Sequence, residues 1–132
     1  MCLFCDIASG KIPCKKVYED DFVLAFLDLN PINPGHTLVI PKKHYDNFLD
    51  IAKDDAEKLS DGILVVINIL KNKLHVENVN LLNNSGLDAG QTVMHCHVHV
   101  IPRHKGDGFS IPAATNSTTS PSLDEVLDIL NK

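Results

Sequence analysis

From His95 to Ile101 the chain reads His-Cys-His-Val-His-Val-Ile, with imidazoles at every second position and small or apolar residues between them. A period of two is the signature of a β-strand, whose successive side chains point to opposite faces. His95, His97 and His99 then share one face, and Cys96, Val98 and Val100 share the other. The second set suits a core. The first does not, because each buried imidazole needs a hydrogen-bond partner. The segment therefore fixes a strand with one functional face.

Three readings fit an imidazole row. It can be a solvated strand face. It can ligate a metal such as zinc, which then activates water. Or one neutral imidazole can attack phosphorus while its neighbours polarise the target and the leaving group. Spacing leaves the last two level. The preceding loop, Asn84-Ser85-Gly86-Leu87-Asp88-Ala89-Gly90-Gln91-Thr92, supplies neutral amide, hydroxyl and backbone N–H donors able to wrap a phosphate, which favours phosphorus chemistry.

The rest of the sequence supplies a fold around that strand. Lys16-Val17-Tyr18 and Phe22 to Leu27 read as strands joined by a turn at Asp20-Asp21. Residues 30–35, Asn-Pro-Ile-Asn-Pro-Gly, form a loop, and Thr37 to Ile40 reads as a buried strand ended by Pro41. Ala56, Leu59, Ile63, Ile67, Leu70 and Leu74 recur at helical spacing and predict a long helix over about 55–74, with Asp54 and Glu57 as a capping box. Gly62 inside that helix suggests a close helix–sheet approach. Val79 to Leu82 is a further strand, and His97 to Ile101 is expected to stop at Pro102. Residues 113–120 are small and polar and read as mobile. Ser120-Pro121 would then open a last helix carrying Leu123, Val126, Leu127 and Leu130. The expectation is an α+β domain over 1–112, with a mainly antiparallel sheet, followed by a Ser/Thr-rich segment and helix over 113–132.

Composition narrows the function classes. With 132 residues, 44% hydrophobic and 22% charged, the chain can build a core without disulfides. Twelve Lys and Arg against seventeen Asp and Glu give a net charge of −5, which argues against a nucleic-acid binder. No apolar run approaches the roughly 20 residues of a membrane span. No basic stretch followed by an apolar one opens the chain, so a cytoplasmic location is expected. In that setting Cys2-Leu3-Phe4-Cys5 points to metal or redox chemistry rather than to a disulfide. Alone it is half of a tetrahedral site. Cys14 and Cys96 read as ordinary small residues, His75 as a helix-end or solvated residue, and His104 as solvated.

These segments resemble the histidine triad (HIT) superfamily, whose pattern His-φ-His-φ-His-φ-φ stands here at residues 95–101. Pro34-Gly35-His36-Thr37-Leu38-Val39-Ile40-Pro41-Lys42, Phe4-Cys5-Asp6-Ile7 through Ile12-Pro13, and Ala25-Phe26-Leu27-Asp28 are also similar. The resemblance runs from residue 2 to about residue 109 and is nearest to the zinc-carrying, Hint-like branch. To the one long helix and the short C-terminal helix read above it adds a five-stranded, mainly antiparallel sheet, a homodimer whose sheets join, and a purine nucleotide as substrate. His97 would be the nucleophile, forming a nucleotidyl-histidine intermediate, with His99 bonding the phosphate or leaving group and His36 in support. Asn84, Gln91 and Thr92 would contact the phosphate, Asp28 the ribose hydroxyls, and Ile7 and Leu29 the base. An imidazole, with its ordinary pKa near ~6.5, is largely neutral at pH 7 and needs no metal for this attack. Zinc-carrying members complete the cysteine pair with two histidines, which match His44 and His95. A closed site of that kind makes the zinc structural. The implied activity is hydrolysis of purine nucleoside 5′-phosphoramidates or related nucleoside monophosphate conjugates. Its rivals are a dinucleoside polyphosphate hydrolase, a nucleotide-binding adaptor with weak turnover, and a zinc hydrolase using the histidine row.

Overall fold

The structure is a computed structural model that describes residues 2–110 and 120–132. Helix α1 (Leu3–Ala8) is followed by β1 (Lys16–Glu19), β2 (Val23–Leu27), β3 (Thr37–Pro41), the long helix α2 (Lys53–Leu74), β4 (Asn78–Leu82), β5 (Val98–Arg103) and α3 (Leu123–Leu130). The strands form one antiparallel sheet in the order β1-β2-β3-β5-β4, as the α+β reading requires. Among the described residues no helix is long and apolar enough to cross a membrane.

Alternation sorts the side chains to two cores. Val23 and Ala25 of β2, Val39 of β3, and Cys96, Val98 and Val100 pack with Leu59, Val66 and Leu70 of α2. Leu24, Phe26, Leu38 and Ile40 face the other way and pack with Phe4 of α1. β2 and β3 are thus covered on both sides, which is why they read as continuous apolar runs. On the second face β5 itself carries His99; His95 and His97, expected within the strand, lie in the irregular segment that leads into it, because β5 begins at Val98.

Several boundaries differ from the sequence reading. Phe22 lies outside β2 because Asp20 Oδ1 accepts the N–H groups of both Phe22 and Val23 at 2.8 Å, closing the turn before the ladder starts. Phe22 instead lies exposed beneath the Lys58 ammonium, 3.5 Å from its ring centre. The expected Asp54–Glu57 capping box is absent: Ala52 is the N-cap of α2 and makes no side-chain cap bond. The last helix is capped by Ser122, not Ser120, through a capping box with Glu125. Its Leu123, Leu127 and Leu130 are exposed. β5 runs through Pro102 to Arg103, because β5 pairs with β3 only as far as Val100 and the missing N–H falls beyond that ladder. The expected boundary at 112/113 and the polar segment 113–119 lie outside the described residues.

The buried line of α2 is Leu59, Gly62, Val66 and Leu70, whereas Leu74 is half exposed. The expected stripe is rotated because the helix touches the sheet at its glycine. A Cβ on Gly62 would lie 2.7 Å from Val23 Cγ2. Val23 is stiff and buried, so Gly62→Ala forces α2 off the sheet. Overpacking costs about 1–3 kcal/mol, against ~1 kcal/mol that Ala gains in helix propensity. The expected result is a net loss of about 1 kcal/mol or more in urea unfolding. An unchanged or raised midpoint would show that the close approach is not a constraint.

Candidate functional site

The three triad imidazoles lie on one face, toward α1. His95 is fully buried and His97 is 7% exposed. The His97 and His99 ring centres are 5.2 Å apart, and the Phe4 ring stands edge-on to His97 at 5.2 Å and to His95 at 6.0 Å. Among the described residues no fully buried side-chain nitrogen or oxygen lacks a partner, so the ring nitrogens left unpaired are those that reach the cavity.

Those bonds assign a tautomer to each ring. His97 Nδ1–H donates to the His95 carbonyl at 2.7 Å, which leaves Nε2 as an unprotonated lone pair. His97 also lines a cavity. Ile32 N–H donates to His36 Nδ1 at 3.1 Å, so the His36 proton sits on Nε2 and is given to His99 Nδ1 at 2.9 Å. His99 must then carry its own proton on Nε2. Burial first, and then the neighbouring His97 and His36, push the His99 pKa down to about 4, so the ring is neutral at pH 7. Burial lowers His36 as well. The site therefore pairs a nucleophilic nitrogen with a neutral N–H donor.

A cavity of about 440 Å³ opens beside this pair. Its walls include His97, His99, Asp28, Leu29, Ile7 and Thr92 from the expected set, with Phe4, Ile12, Phe26 and Leu38 completing an apolar slot. Asp28 Oδ1 accepts the Asn30 N–H at 2.8 Å, and its Oδ2 lies 3.5 Å from His36 Nε2. One carboxylate thus shapes the turn and faces the site. Two expected phosphate contacts fall outside this wall. Gln91 is buried, and its amide N–H groups donate to the Asp46 and Val93 carbonyls at 2.6 and 2.9 Å, so the side chain braces the loop. Asn84 donates to the Gly90 carbonyl at 3.4 Å, its one side-chain bond among the described residues. Asn83, which the sequence reading passed over, bonds the His97 carbonyl at 2.8 Å and fixes the entry to β5. Phe4 also went without a role, although its place in an apolar segment beside Cys5 was a usable signal.

Cys2, Cys5, His44 and His95 converge, with ligand atoms within 4.8 Å of one another. Cys2 Sγ is 3.2 Å from His95 Nδ1, and Cys5 Sγ is 3.3 Å from His44 Nδ1 and 3.4 Å from His95 Nδ1. Tetrahedral zinc, with bonds of about 2.3 Å to sulfur and about 2.0 Å to nitrogen, implies S···N edges of roughly 3.5 Å. His95 Nε2–H donates to the Pro41 carbonyl at 2.7 Å and His44 Nε2–H to Asp46 Oδ1 at 2.8 Å, so both Nδ1 lone pairs point into the cluster. Donor type, spacing and tautomer all fit zinc. A second cluster, Asp28, His36 and His99, does not fit. A metal on His36 Nε2 would force the proton onto Nδ1, against the Ile32 N–H. The other thiols are inert by environment: burial pushes Cys96 up to about 12 and raises Cys14.

Comparison with known proteins agrees with this geometry. The HIT domain family model matches residues 9–106. An uncharacterized HIT-like protein of Methanocaldococcus jannaschii is 48% identical over 127 residues, covering 96% of each chain. The adenylylsulfatase HINT3 of Arabidopsis thaliana is 39% identical over 106 residues, covering 80% of this chain and 54% of that protein. A zinc-bound histidine triad family protein from Mycobacterium smegmatis has a similar structure, with a TM-score of 0.78 and 36% identity over 87% of this chain and 84% of that one.

Proposed function

The chain belongs to the HIT domain family, and from that premise we propose that it is a hydrolase of purine nucleoside 5′-phosphoramidates and related nucleoside monophosphate conjugates. The observation that carries this reading is the tautomer pair: a bare His97 Nε2 beside a His99 Nε2–H on the wall of one cavity. The His97 lone pair forms an N–P bond to the α-phosphorus while the bond from phosphorus to the leaving atom breaks, a departing amine taking up one proton from solvent that the attacking water returns in the second step. The His99 N–H and the Thr92 hydroxyl stabilise charge on the phosphoryl and leaving atoms. Water then attacks phosphorus, the N–P bond breaks, and AMP or GMP leaves with His97 restored. Asp28 accepts the ribose hydroxyls, and Ile7 and Leu29 hold the base on the apolar side of the slot.

The four-donor cluster is read as a structural zinc site. Zinc there supplies a cross-link between α1, the segment after β3 and the entry to β5, and His95 is thereby reserved for the metal. The homodimer is part of the same reading. β4 is an edge strand open to a second sheet, and its exposed Leu81 and the exposed Leu64 of α2 are apolar surface that a second copy would cover. A cytoplasmic setting suits nucleotide substrates and reduced thiols.

The test is parallel hydrolysis of adenosine 5′-phosphoramidate, adenylyl sulfate and diadenosine tetraphosphate. AMP release fastest from the phosphoramidate is the expected result. Preference for the sulfate or for the tetraphosphate would replace the substrate class and keep the chemistry. No turnover of any, with AMP bound, would make the protein a nucleotide-binding adaptor.

A further inference from the structure

We infer that Asn33 and Asp107 are positioning residues that set the tautomer of His36, and through it the direction of the proton on His99. The polarity of the His36–His99 pair depends on the Ile32 N–H reaching His36 Nδ1, and that amide belongs to a loop with no strand or helix of its own. What holds the loop is the next residue. Asn33 is buried at 8% exposure, and its two amide hydrogens go to the Pro102 carbonyl and to Asp107 Oδ2, both at 2.9 Å. The Asn33 backbone carbonyl in turn accepts the His36 backbone N–H at 3.1 Å. Gly35 seats the other end: a Cβ there would lie 2.9 Å from Leu74 and 3.3 Å from Pro102.

Asp107 is the fixed end of this clamp. Its side chain is 4% exposed. Arg103 grips it through Nε at 2.7 Å and Nη2 at 2.9 Å, and the backbone N–H groups of His104 and Phe109 add bonds at 3.2 Å. The bidentate Arg103 contact holds the carboxyl well below the usual range, so it stays an acceptor at any working pH. A chain of bonds therefore runs from the segment after β5, through Asn33 and the Ile32 amide, to the ring behind His99.

Releasing the clamp has a defined chemical consequence. Without the Ile32 N–H, the His36 proton is free to occupy Nδ1, and His36 Nε2 becomes an acceptor. His99 must then place its own proton on Nδ1, and its Nε2 turns a lone pair toward the phosphate oxygens. Asp28 Oδ2, 3.5 Å from His36 Nε2, still favours the original tautomer, so the loss is partial.

The kinetic arm of the test rests on the proposed hydrolase reading; the spectroscopic arm does not. Long-range ¹H–¹⁵N spectra of the full chain labelled at histidine report His36 directly. Wild type should show only the Nε2–H form. Asn33→Ala should show both forms, with kcat for adenosine 5′-phosphoramidate reduced about tenfold and KM within about twofold. Asp107→Asn, which keeps the side-chain shape, is the second variant should Asn33→Ala fail to fold, with a smaller change in the same direction. A folded variant whose His36 stays wholly Nε2–H overturns the inference, whether or not kcat falls. If wild type turns over no nucleotide, the hydrolase reading fails while the spectra still decide the clamp.

Discussion

His97→Asn should lower AMP release from adenosine 5′-phosphoramidate by at least roughly 10³-fold while AMP affinity stays within a few-fold, because it removes a nucleophile and little else. Asparagine is the informative replacement. Its amide N–H can reach the His95 carbonyl in place of Nδ1–H, which now donates at 2.7 Å. Alanine would leave that buried carbonyl unpaired, at about 1–3 kcal/mol, and would empty the space against Phe4. Loss of activity in His97→Ala alone could therefore reflect a disturbed strand. Loss in His97→Asn cannot be explained that way, since what is missing is the Nε2 lone pair. Steady-state AMP release and titration with AMP measure the two quantities. Mass spectrometry of rapidly quenched wild type should show a nucleotidyl adduct that the variant lacks. Undiminished turnover in His97→Asn would sink covalent catalysis by this ring.

Much of this site was legible because its residues obey a short-range rule. Alternation at 95–101 placed three imidazoles on one face without any knowledge of the sheet, and the structure keeps that face. On β2 and β3 the continuous apolar runs marked buried strands, and the structure divides their side chains between the two cores. Cys96 went to the α2 side because its neighbours two residues away are apolar. Where local rules competed, the reading slipped. Asp54 and Glu57 carry a plausible capping pattern, but the helix begins two residues earlier than that pattern implies, at Lys53 behind Ala52, with no side-chain cap bond. On α2, residue spacing could not show that the sheet meets Gly62, so the stripe was drawn through Ile67 instead of Val66.

What stayed illegible depends on contacts between distant segments. The amide of Gln91 has the right chemistry for a phosphate, and only the fold reveals that Asp46, 45 residues away, already uses it. The role of Asn33 is hidden in the same way, because Asp107 lies 74 residues further along. Tautomers are less accessible still. No sequence pattern states which nitrogen of His36 carries a proton, since the deciding partner is a backbone N–H in an irregular loop. Residue type nominates a catalytic group, whereas its protonation pattern is a property of the assembled site.

Zinc removal should separate stability from chemistry. The cluster ties Cys2 and Cys5 of the first turn to His44 after β3 and to His95, so it fixes the start of the segment on which His97 sits. Without a cation, burial and then the adjacent Cys2 push the Cys5 thiol up to about 11, so the cluster alone does not favour a pair of thiolates. A bound metal would shift that balance and release protons. With free zinc about a thousandfold above its Kd, linkage contributes about 4 kcal/mol. Chelation, or Cys2→Ser with Cys5→Ser, should then lower Tm by roughly 10–20 °C for a chain of this size. Metal analysis of the wild type should give one zinc per chain. Turnover tells more than Tm. The His97 lone pair and the His99 N–H are set by the His95 carbonyl and by Ile32 through His36, none of which needs the metal. Below its lowered Tm the zinc-free protein should keep activity within about tenfold of wild type. Activity that falls in proportion to zinc content in a protein still folded would make the histidine row a metal-water site. An apoprotein with unchanged Tm and no zinc uptake would remove the structural role of the cluster and leave the phosphorus chemistry standing on His97 alone.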